Sequence, residues 1–158
     1  MNQQQSPLSL VLQNLLQVAI DAARKTLIEH GSFSPCALRL NVNDTYDISI
    51  ASGVEPQQET PSLLAIARQE AESGKMKAMA LYRQIELTVP GEDRATDAIQ
   101  VMLEEANGGS FNAFQPFSKS EDGGYEFGRI VLQPAANQVF SQVVDAPNSK
   151  KRWWQVWK

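Results

Sequence analysis

The chain has 158 residues, 42% hydrophobic and 20% charged, a size and balance that suit one domain with a sizeable core. Net charge is −4, but Lys150, Lys151, Arg152 and Lys158 are gathered at the end, which leaves 10 basic against 18 acidic residues in 1–149. So acidic a body excludes a broad nucleic-acid surface, and the single cysteine, Cys36, excludes an internal disulfide and fits a reducing compartment.

Met1 to Gln5 carries no Lys or Arg, and the apolar run that follows is broken by Gln13, Asn14, Gln17 and Asp21. Neither a signal peptide nor a membrane span is expected, and the protein reads as cytoplasmic. Ser6 and Pro7 suit the cap and first position of a helix. Leu8, Leu12, Leu15, Leu16, Ala19, Ala22, Ala23 and Leu27 then recur at helical spacing, with Val11, Val18 and Ile20 widening the apolar face. Gly31, after His30, suits the left-handed residue that closes a helix.

Cys36–Val42 and Tyr46–Ala51 read as two strands joined at Asn43-Asp44, and residues 53–60 as a loop. Thr60-Pro61 opens a second helix through Leu63, Leu64, Ile66, Ala67 and Ala71, which Ser73-Gly74 ends. Met76–Val89 is a long strand, turned by Pro90-Gly91-Glu92-Asp93 into a return strand over Asp97–Ala106. Asn107-Gly108-Gly109 is a hairpin signal whose central residues are expected at positive φ. Phe111–Ser118, a turn over 119–124, and Tyr125–Gln133 complete an antiparallel meander. Val139, Phe140, Val143 and Val144 fit one helical face, although 135–144 remains open between helix and coil. The expected architecture is α+β: about six antiparallel strands with two helices on one face. Residues 1–144 form the domain, and 145–158 form a linker and tail.

Candidate chemistry is sparse. His30 sits at a helix end, where it serves as a cap. Cys36 lies in an apolar strand and reads as a small core residue rather than a nucleophile. Together they lack the further ligands that a metal site needs. No phosphate-loop, dinucleotide or Gly-x-Ser-x-Gly pattern occurs, so neither metal nor cofactor is expected. Phe111, Phe114, Phe117, Tyr125 and Phe127 have few basic neighbours and read as core aromatics rather than a base-stacking platform. Glu104 and Glu105 are adjacent, so they point to opposite faces of a strand. Pairing Leu87 with Ile99 across the Pro90–Asp93 turn makes Arg83 and Glu105 diagonal neighbours, and an ion pair between them is expected.

All the tryptophan lies in the tail, at Trp153, Trp154 and Trp157, among Lys150, Lys151, Arg152 and Lys158. Large aromatics beside cations make this the expected partner-binding segment, for a protein partner or for self-association. The reading is a non-enzymatic interaction module (an adaptor, regulator or inhibitor) with an acidic body and a C-terminal Trp/Lys anchor. Two alternatives stand beside it: a small enzyme built around Arg83 and Glu105, and a peripheral protein held on an anionic membrane surface by the tail.

Overall fold

The computed structural model describes residues 7–51, 53–88 and 95–140. Helix α1 spans Leu10–His30. Its cap is Ser9, whose Oγ accepts the Leu12 N–H at 3.1 Å, rather than the expected Ser6, which lies outside the described residues. Gly31 ends the helix at φ 84°, and its N–H reaches the Leu27 carbonyl at 2.8 Å.

Strands β1 (Cys36–Asn41) and β2 (Tyr46–Ile50) form a hairpin. Helix α2 runs Pro56–Glu72, starting one turn earlier than expected. Pro56 already supplies the favoured proline at the first turn, and the helix continues through Pro61 at the loss of one ladder bond. The meander follows as β3 (Met76–Thr88), β4 (Ala95–Glu105) and β5 (Ser110–Lys119). The expected strand over Tyr125–Gln133 is two short ones, β6 (Tyr125–Phe127) and β7 (Val131–Pro134). Between them Gly128 donates its N–H to the Pro116 carbonyl, so β6 covers the far half of β5's outer edge and β7 the near half. The seven strands run β2-β1-β3-β4-β5-β6, with β7 also on β5.

The β4–β5 hairpin forms without positive φ at Asn107 or Gly108. Gly109 matters for a different reason: a Cβ there would lie 2.6 Å from Phe111 Cε2.

The two helices occupy opposite faces, not the same one. Helix α1 packs Leu12, Leu15, Ala19, Ala23 and Leu27 on Ala78, Ala80 and Tyr82 of β3 and on Ile99, Val101 and Leu103 of β4. Helix α2 packs Leu63, Leu64 and Ala67 on Met79, Leu81 and Met102, the alternate positions of the same strands. Of the five expected core aromatics, Phe111, Phe117, Tyr125 and Phe127 join the α1 core, whereas Phe114, of the opposite parity to Phe111 and Phe117 in β5, is only partly buried and belongs to neither cluster. Among the described residues no helix is long and apolar enough to cross a membrane.

Candidate functional site

The proposed Arg83–Glu105 pair does not form. Strand β3 meets β4 with Arg83 opposite Gln100 and Leu87 opposite Thr96, a register three residues away from the expected one. An odd shift changes the face on which paired side chains meet. Arg83 lies on the α2 face, donating Nε–H to Gln100 Oε1 at 2.7 Å and Nη1–H to Thr60 Oγ1 at 3.3 Å. Glu105 lies on the α1 face and accepts the Ser9 hydroxyl at 2.7 Å. It therefore places a carboxylate at the N-terminus of α1, where the helix dipole favours negative charge. The sheet separates the two residues.

His30 is the last residue of α1 and is largely exposed. Cys36 is half-buried at the margin of the α1 core, opposite Tyr82 in the β1–β3 ladder. Burial pushes its thiol up, and a hydrogen bond with Tyr82 only partly offsets this. The Tyr82 hydroxyl is pushed up as well, by burial and by its sulfur neighbour. A thiol shifted that way carries little thiolate at neutral pH and is a poor nucleophile. Among the described residues no three His, Cys, Asp or Glu side chains are grouped to hold a metal ion. The residues expected to bind a partner, Lys150, Lys151, Arg152, Trp153, Trp154, Trp157 and Lys158, lie outside the described residues, as do the expected linker over 145–149 and the expected Pro90–Asp93 turn.

What the structure adds is Glu104. It is 2% exposed, on the α2 face between Met79 of β3 and Ser110 of β5. Its Oε1 accepts the N–H of Val139 at 2.8 Å and of Phe140 at 3.1 Å, and its Oε2 accepts that of Gln138 at 2.6 Å. Three successive backbone donors converging on one anion form a nest. Arg68 of α2 donates Nε–H to the Gln138 carbonyl at 2.7 Å. The Ser110 hydroxyl donates to the Ala136 carbonyl, and Asn137 Nδ2 donates to the Phe140 carbonyl. These bonds fix a segment with no regular secondary structure, and Val139 and Phe140 cover the part of the core that α2 leaves open.

Burial pushes the Glu104 carboxyl above its ordinary range; the three N–H bonds and the Arg68 charge pull it back without cancelling the rise. Folded Glu104 therefore keeps its proton to a higher pH than the unfolded chain does. Stability from this group is greatest below the unfolded carboxyl pKa, about 4.3, and is lost as pH rises through the folded value. Glu104→Gln lacks this dependence. Denaturant titrations across the acid range should show wild type gaining on Glu104→Gln as pH falls from neutral, and parallel curves would contradict the direction of the shift.

A second feature of the α2 face is an open cleft of about 440 Å³ bordered by Arg39, Asn41, Asp47, Glu70 and Lys75. Arg39 donates from Nη2 to the Ser49 hydroxyl at 2.8 Å and lies 3.7 Å from Glu70 through Nη1. Two cations and two carboxylates share the cleft, so it presents no single sign of charge to a ligand.

Comparisons with protein-family models, with curated proteins and with solved structures found no match.

Proposed function

We propose that the protein is a non-enzymatic interaction module whose anchor is the C-terminal segment carrying Trp153, Trp154 and Trp157 among Lys150, Lys151, Arg152 and Lys158. The observation that carries this reading is the nest around Glu104. A buried carboxylate, Arg68 and a strand hydroxyl hold residues 136–140 on the sheet, so the chain leading to the tail sets out from one defined point on the α2 face. The tail offers aromatic anchors with a cationic rim, which suits a protein groove with an apolar floor and acidic edges. The acidic body keeps nucleic acid away and steers encounter toward cationic surfaces.

Tryptophan emission tests this directly, because every indole is in the tail. The expected result for the isolated full chain is red-shifted emission open to quencher, unchanged by protein concentration and by anionic vesicles. Blue-shifted, quencher-protected emission in the isolated monomer would place the indoles on their own domain and overturn the anchor. A blue shift on anionic vesicles alone would overturn the protein-partner reading in favour of the membrane surface.

A further inference from the structure

We propose that β2 is a homodimerisation edge, pairing antiparallel with β2 of a second copy to join the two sheets into one. This goes beyond the tail and stands on different observations. The strand order puts β2 at the end of the sheet. Asn41 donates its N–H to the Thr45 carbonyl at 2.8 Å. Bonded and non-bonded residue pairs alternate along an antiparallel ladder. Asp47 and Ser49 therefore turn their backbone groups to Arg39 and Ala37 of β1, and Tyr46, Ile48 and Ile50 turn theirs outward, to an edge with no strand neighbour among the described residues.

The same residues carry apolar side chains in water. Tyr46 is 48%, Ile48 63% and Ile50 60% exposed, on the face where their β1 partners Leu40 and Leu38 belong to the α1 core. Edge strands are ordinarily blunted by brevity, lysine, proline or a bulge. The opposite edge follows this rule: β6 has three residues, and β7 has four and ends in Pro134. Strand β2 has no lysine or proline and its register with β1 is continuous; its one charge, Asp47, lies on the face away from Tyr46, Ile48 and Ile50.

The sequence of β2 is self-complementary. With the two-fold axis at Ile48, every residue of the strand meets a counterpart. Tyr46 faces Ile50 of the second copy, Ile48 faces Ile48, and Asp47 faces Ser49, so the carboxylates are diagonal rather than opposed. Each outward-turned residue then exchanges both backbone hydrogen bonds, and the apolar side chains form one stripe across the junction. A register centred on Asp47 would set like charges face to face. Because the contact is isologous and the other sheet edge is blunted, it closes at two copies instead of propagating.

Sedimentation velocity on the full chain, from roughly 1 to 200 µM, is the test, since a single strand pair makes a small interface of modest affinity. The expected result is a mass rising with concentration from 17.5 kDa toward twice that value. Amide exchange at Tyr46, Ile48 and Ile50 should slow over the same range. Ile48→Lys, at an exposed position, should keep the fold and weaken association at least tenfold. A full-length variant with Trp153, Trp154 and Trp157 all changed to Ser should dimerise like wild type. A monomer throughout, which would leave the edge to a strand of another protein, overturns the proposal. So does a dimer indifferent to Ile48→Lys, or one that only the tail substitutions abolish. The emission measurement above separates failure of the tail reading from failure of this one.

Discussion

Glu104→Ala is expected to lower the free energy of unfolding by about 3 kcal/mol. The carboxylate is buried, and three backbone N–H groups converge on it. Removing it leaves those donors facing a small apolar void, and each buried donor without a partner costs about 1–3 kcal/mol before relaxation. Part of that is regained as residues 138–140 lift and hydrate, but lifting uncovers the cluster that Val139 and Phe140 close. A leucine in place of Glu104 would fill the volume and still orphan the donors, so packing alone does not rescue the site. Glu104→Gln keeps one acceptor oxygen and turns an amide donor toward another N–H, and should fall between wild type and alanine. Denaturant unfolding gives the stability order, and amide exchange at Gln138, Val139 and Phe140 locates the effect. A loss below about 1 kcal/mol would mean that the nest is not structural.

Much of the secondary structure was legible because local signals agreed with each other. The stripe Leu12, Leu15, Ala19, Ala23, Leu27 closed by Gly31 admits little besides one buried helix, and the antiparallel meander follows from its short turns. What misled was the assumption that the sheet has one covered face. With helices on both sides, apolar residues occupy both parities of β3, Ala80 and Tyr82 beneath α1 and Met79 and Leu81 beneath α2. Alternation then ceases to mark inside and outside, and it no longer fixes register. The predicted Arg83–Glu105 pair failed for that reason. The same assumption hid Glu104: only Ile99, Val101 and Leu103 were read as the apolar face of β4, yet Gln100, Met102 and Glu104 are buried on the α2 face as well. The opposite orientation of Glu104 and Glu105 did follow from adjacency. Nothing local announces the nest, because its donors are backbone groups some 34–36 residues away in a segment without regular structure.

Leu63→Ala should cost about 2–4 kcal/mol, as expected for a fully buried leucine in a closed cluster. Its coupling to the sheet reveals more than its size. Leu81 and Leu103 sit on neighbouring strands, with Ala80 opposite Leu103 and Leu81 opposite Met102. They are close along the sheet, yet Leu81 belongs to the α2 cluster and Leu103 to the α1 cluster. Combining Leu63→Ala with Leu81→Ala enlarges one cavity, so the double variant should depart from additivity by about 0.5–3 kcal/mol. Combining Leu63→Ala with Leu103→Ala perturbs two cores separated by the backbone of the sheet, and the losses should add within about 0.5 kcal/mol. Equal coupling of Leu63 to both leucines would be the result expected of two helices sharing a face, and would overturn the three-layer arrangement. The α2 layer is also the one that residues 138–140 complete. A core that couples Leu63 to Leu81 but not to Leu103 is therefore the platform on which the Glu104 nest is built.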